Sequence, residues 1–203
     1  MNKLTQQILV EARGHLGVHE VGGNNRGPEV EAWLARVHCP PGSPWCAAFG
    51  WSMLDDACRE LGLTNPFPPT ASVHRFMERA KSMGAWTYTP EPGFIGFIDH
   101  GLDHAGNPIG HLTIIEDISG DVATDISGNT NAAGSREGNC VARHTKPVAS
   151  YTWGCLDPGK LFSDALTPVP VTPEPTVAPA DGPDIFSTIF QLWRFRSGIA
   201  TGT

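Results

Sequence analysis

The hydrophobic pattern of this chain changes period once, and that change fixes the order in which its layers form. Up to Met83, apolar residues recur three and four positions apart, the spacing of one helix face. Leu4, Ile8, Leu9, Ala12 and Leu16 do so within residues 1–17, and Val30, Trp33, Leu34 and Val37 within 29–37. A third series, Ala48, Phe49, Met53, Ala57, Cys58 and Leu61, is stopped by Gly62, and a fourth, Val73, Phe76, Met77 and Ala80, lies within 71–83. Beyond that point the pattern shortens to strand-like runs at 94–98, 111–116, 122–126 and 151–156, parted by turns such as Ser119-Gly120-Asp121. Helices first and an antiparallel sheet second predict an α+β fold, with N-terminal helices packed on a small antiparallel sheet.

The globular part is expected to end near residue 162. Residues 163–183 hold Pro168, Pro170, Pro173, Pro175, Pro179 and Pro183 among Val, Thr and Ala, which predicts an extended linker. Residues 184–203 form a short apolar segment with Ile185, Phe186, Ile189, Phe190, Leu192, Trp193 and Phe195, read as a short C-terminal helix. Three fates compete for it: packing on its own domain, docking on a partner protein, or lying at a membrane surface with Arg194 and Arg196 toward headgroups.

Composition narrows the function classes. A chain that is 40% hydrophobic and 17% charged can bury an ordinary core, and a net charge of −7 lacks the basic face that nucleic-acid binding needs. Cys39, Cys46, Cys58, Cys140 and Cys155 are odd in number and form no CxxC pair, which argues against a closed disulfide framework. The N-terminal segment reads as an amphipathic helix and not as a signal peptide, so synthesis in a host cytoplasm is expected.

The chemistry concentrates at Cys46 and His111. Ser43 can cap a helix and Pro44 suits an early helical position, so Cys46 in Pro44-Trp45-Cys46-Ala47-Ala48-Phe49 is expected in the first turn of the third helix. Unpaired N–H groups there favour the thiolate, which is the nucleophilic form. His111 heads Gly110-His111-Leu112-Thr113-Ile114-Ile115-Glu116, a strand that can present a base. A competing reading gathers His100, His104 and His111 with Asp99 and Asp103 around a metal. Gly101, Gly106, Asn107 and Pro108 between them describe a loop in which such residues are usually solvated.

Four pieces together resemble the CHAP domain family (cysteine, histidine-dependent amidohydrolases and peptidases). They are Glu20 to Pro28 with Val30, the Pro44–Phe49 motif, the Gly110–Glu116 motif, and Gly128-Asn129-Thr130-Asn131 followed by Ser135-Arg136-Glu137-Gly138. This papain-like group includes many phage and bacterial peptidoglycan hydrolases. The resemblance implies that Cys46 attacks an amide carbonyl, His111 moves the proton, and a third side chain orients the imidazole. Asp125, Ser127 and Asn129 share a face if their strand persists. The family often has an acidic residue two positions before the asparagine, where this chain has Ser127, so Asn129 takes the orienting role with Asp125 as the fallback. The Cys46 N–H with a donor such as Asn25 would form the oxyanion hole, although Asn24 and Asn25 equally suit a plain turn. Trp45 either lines the cleft or is buried. Some members bind calcium before the cysteine, but residues 37–42 here carry no carboxylate, so no metal and no cofactor are expected.

The implied function is cleavage of an amide bond in or next to the stem peptide of bacterial cell wall peptidoglycan, as a phage endolysin or virion-associated lysin. Two alternatives remain: a catalytically silent wall-binding or adaptor module on the same scaffold, and a bacterial thiol amidase acting on a non-wall substrate.

Overall fold

The computed structural model describes residues 1–131 and 138–162. The linker at 163–183, the apolar segment at 184–203 and the Ser135-Arg136-Glu137 piece of the last motif therefore lie outside the described residues. The described part is α+β. Four helices, α1 (Lys3–Gly14), α2 (Pro28–Arg36), α3 (Cys46–Glu60) and α4 (Val73–Ser82), precede all the strands of the described residues. The strands are β1 (Trp86–Thr87), β2 (Ile95–Leu102), β3 (Pro108–Ser119), β4 (Val122–Thr130), β5 (Cys140–Pro147) and β6 (Gly154–Leu156). They form one sheet in the order β1-β6-β2-β3-β4-β5, and every pairing in it is antiparallel. No helix among the described residues is long and apolar enough to cross a membrane.

Each helix starts where local chemistry permits. Asn2 caps α1, its side-chain oxygen accepting from the Thr5 N–H at 2.9 Å, and Ser72 caps α4 through the Arg75 N–H at 3.2 Å. Pro28 opens α2, where its missing N–H costs nothing. The start of α3 differs from the expectation. Ser43 and Pro44 stay outside the helix, the Ser43 hydroxyl donating to the Pro40 carbonyl at 2.8 Å, and Trp45 occupies the cap position without capping the helix through its side chain. The cause is the turn before it, where Gly42 adopts φ +90° and its N–H donates to the Asn25 carbonyl. Cys46 is thus the first residue of the helix.

The sequence pattern missed β1 and β5. In β5, Cys140-Val141-Ala142-Arg143-His144-Thr145-Lys146-Pro147, three basic-type side chains disguise the alternation. Arg143 binds Glu116, which also holds Arg13 of α1 at 2.7 Å, while Lys146 turns inward to Asp125.

The core lies between the helices and one face of the sheet. Leu112, Ile114, Ile126 and Phe97 supply that face, and Leu4, Ile8, Leu34, Phe49, Met53 and Phe76 meet it from the helices. A smaller cluster of Phe94, Ile115, Ala123, Tyr151 and Cys155 occupies the other face. Two glycines set how closely α3 approaches. A Cβ on Gly50 would lie 2.1 Å from Leu112 Cδ2, and one on Gly128 would lie 2.5 Å from Trp45 Cζ3 and 2.8 Å from Phe49 Cβ. Leu112 has a flexible end, but the aromatic pair at Gly128 cannot step aside. Gly128→Ala should therefore destabilise the fold by about 1–3 kcal/mol, the usual cost of overpacking, read as a lower denaturation midpoint. An unchanged midpoint would show that the helix can retreat.

Candidate active site

β3 and β4 are paired from Ser119↔Val122 up to Ile114↔Ile126, where their described pairing ends. Past that point β3 stays with β2 as far as Pro108↔Leu102, and β4 stays with β5 as far as Thr130↔Cys140. The sheet therefore forks, with 111–113 on one arm and 127–129 on the other. Hydroxyls close its base: Ser127 Oγ donates to Thr113 Oγ1 at 2.9 Å, and Thr113 Oγ1 donates to the Ile126 carbonyl at 3.3 Å. The start of α3 lies against both arms, Trp45 and Phe49 on Gly128 and Gly50 on Leu112. The backbone neighbours of Cys46, His111 and Asn129 are thereby brought to one place.

Strand alternation puts His111 with Thr113 and Ile115, on the face turned away from Leu112 and the helices. The fork is where the start of α3 has access to that face. Cys46 is 7% exposed and His111 4%. Nδ1 of His111 is buried and has no hydrogen-bond partner among the described residues. Burial, then the positive Lys146 and the neighbouring His100, push its pKa down from 6.5 to about 3, against the pull of Asp125. The imidazole rests neutral at physiological pH.

Asp125, the fallback orienting residue, is committed elsewhere. Its carboxylate is fully buried, held by Lys146 Nζ at 2.8 Å and the Tyr151 hydroxyl at 3.1 Å, with His144 Nδ1 at 3.6 Å. Burial raises its pKa, but His144 and Lys146 outweigh this and leave it below the ordinary carboxylate value. Asn129 is buried with φ +56°, at a break in the β4–β5 register between Ser127 and Thr130. Simple alternation therefore carries Asp125 and Ser127 but stops short of Asn129. The Gly138 N–H donates to the Asn129 carbonyl at 3.2 Å.

Trp45 and Asn25 each had two readings, and the geometry favours the plainer one in both cases. Trp45 does not line a cleft: it is fully buried, stacked on Trp33 with centroids 5.5 Å apart, and its indole N–H donates to Glu20 at 2.9 Å. Asn25, at φ +55°, donates its amide to the Gly42 carbonyl at 3.2 Å, so it shapes the turn before Cys46. In the 99–110 hairpin, Asp103 accepts from the N–H groups of Ala105 and Asn107 and from the Asn107 amide, the work of a turn residue. His100 meets His111 edge-on with ring centroids 6.1 Å apart, and among the described residues no three metal-type side chains gather. The sequence pattern gave no notice of His144, Lys146 and Tyr151, because they converge on Asp125 only through sheet pairing.

No protein-family model matches the chain, nor does any curated protein. Among the solved structures similar to it are the crystal structure of Ly7917 (TM-score 0.43, 20% identity) and that of Ly7917 with the hydrolyzing product of MDP (TM-score 0.42, 19% identity). Each alignment covers 75% of this chain but only 59% and 60% of those chains. A likeness at that level decides neither the fold family nor the chemistry of this chain.

The buried histidine gives a pH signature. The unfolded imidazole takes a proton near 6.5 whereas the folded one resists it down to about 3. Stability is then full above pH 6.5 and falls on acidification through that window, at up to about 1.4 kcal/mol per pH unit. Unfolding free energies measured at pH 7, 6 and 5 should show this slope, and His111→Gln should flatten it. Equal slopes in the two proteins would mean that His111 is not held neutral by the fold.

Proposed function

We propose that this protein is a cysteine-dependent hydrolase that cleaves an amide bond in or next to the stem peptide of bacterial peptidoglycan. The observation that carries the proposal is Cys46 as first residue of α3, seated at a fork whose arms carry His111 and Asn129. Cys46 is the nucleophile. The helix start offers backbone N–H groups that favour a thiolate and, later, the oxyanion of the tetrahedral intermediate. His111, neutral at rest, accepts the thiol proton and returns it to the leaving amine; a thiolate beside it raises its basicity as the reaction begins. Asn129 orients the ring.

The other cysteines suit a different role. Cys58 and Cys155 are fully buried, and desolvation pushes both thiols up to about 12, so they are inert packing groups. Cys39 is the more accessible neighbour at the turn before α3. A wall-acting lysin of phage origin fits the motif resemblance, and a silent wall-binding module on the same scaffold would have no use for a thiol at a helix start.

Cys46→Ser and His111→Gln should each lower release of muropeptides from purified walls by about 10²–10⁴-fold with unchanged circular dichroism, while Cys39→Ser stays active. Asn129→Ala should lower kcat more than it changes KM. Mass spectrometry of the released fragments identifies the bond. A Cys46→Ala protein with wild-type turnover would overturn the mechanism.

A further inference from the structure

Most arginines of the described structure are neutralised by a carboxylate. Arg13 and Arg143 bind Glu116, Arg26 binds Glu31, Arg36 binds Asp55 and Asp56, and Arg59 approaches Asp56 at 3.9 Å. Arg75 and Arg79 are the exceptions: both are exposed on α4, one turn apart, with no acidic partner among the described residues. The only side-chain bond of Arg79 among those residues is donation from Nη2 to the Pro66 carbonyl at 3.3 Å. Two like charges at this spacing repel, so the pair costs stability where it stands. In a chain of net charge −7, leaving these two unpaired calls for another reason.

The surface beside them supplies one. Arg75 stands between two adjoining hollows that share Pro69 and Thr70. The larger, of about 590 Å³, runs from Arg75 and Ser72 to Cys39, Ser43 and Pro44, two residues before Cys46. The smaller, of about 210 Å³, is walled by Phe67, Pro68 and Phe76 and carries Arg79 at its edge. No aspartate or glutamate lines either one. The Thr70 and Ser72 hydroxyls accept from backbone N–H groups and keep their own protons for peptide carbonyls, and the two guanidinium groups supply donors that fit a carboxylate.

We infer that Arg75 and Arg79, which both line the smaller hollow where it adjoins the larger one, bind a carboxylate of the peptide substrate, so that this surface selects an acidic peptide. This rests on the proposed peptide-amide reaction at Cys46. The arginines choose the ligand and hold it, and the reacting amide is handled at the fork.

Binding separates this inference from the reaction. The full-length Cys46→Ala protein is titrated, without turnover, with a synthetic stem tetrapeptide bearing free carboxylates and with the same peptide fully amidated. The free-acid peptide should bind about 10-fold tighter, a preference that added salt weakens. Arg75→Gln with Arg79→Gln should abolish that preference and leave the amidated peptide unaffected; Arg75→Lys with Arg79→Lys, which keeps the charge, should retain part of it. Equal binding of the two peptides, no binding of either, or a preference that survives in the glutamine variant would each overturn the inference. Selective binding by a protein whose Cys46-containing form hydrolyses no wall would reject the proposed reaction and leave the carboxylate site standing.

Discussion

The fork between β3 and β4 depends on one steric fact: nothing larger than a hydrogen fits at Gly128 beneath Trp45 and Phe49. Because the residue before Asn129 has no side chain, the aromatic start of α3 can settle on the backbone of β4, and Gly50 does the same for β3 at Leu112. The helix then wedges where the two strands have stopped pairing. Trp33, stacked on Trp45 and edge-on to Phe49, fixes the wedge from behind. Dispersion contacts of this density tolerate little displacement, which is what a constellation drawn from three separate elements requires.

The far side of the sheet adds an electrostatic constraint. Asp125, fully buried, is balanced by Lys146, Tyr151 and His144. A buried carboxylate survives only with such company, since removing its partners would leave an uncompensated charge in a poorly polarisable interior. The same cluster reaches His111 with a net opposition to its protonation, Lys146 acting against and Asp125 for. Burial is the main reason His111 stays neutral, and the charges that close the second face of the sheet add to it.

Much of the fold was legible. The four helices appear where apolar residues recur at helical spacing, because burying one stripe against a sheet is what such spacing is for. The strands holding His111 and Asp125 were equally plain. β5 was not, because Arg143, His144 and Lys146 look like a solvated run until Glu116 and Asp125 are placed opposite them. Nor was the true start of α3, since Ser43 and Pro44 make a credible helix opening that the Asn25–Gly42 turn overrides.

The sequence by itself determined the α+β order of layers, a cysteine at the head of the third helix and a histidine on the second long strand, because these follow from periodicity and local backbone preferences. Tertiary structure alone decided that Trp45 belongs to the core, that Asn25 serves a turn, that Asp125 pairs with Lys146, and that Asn129 leaves the strand alternation. Each of those outcomes depends on which distant groups share a small volume, and partners separated by many residues leave no periodic trace in the chain. Arg75 and Arg79 show the same limit: their charges are visible in the sequence, but their lack of carboxylate partners among the described residues and the hollows beside them appear only in the folded chain.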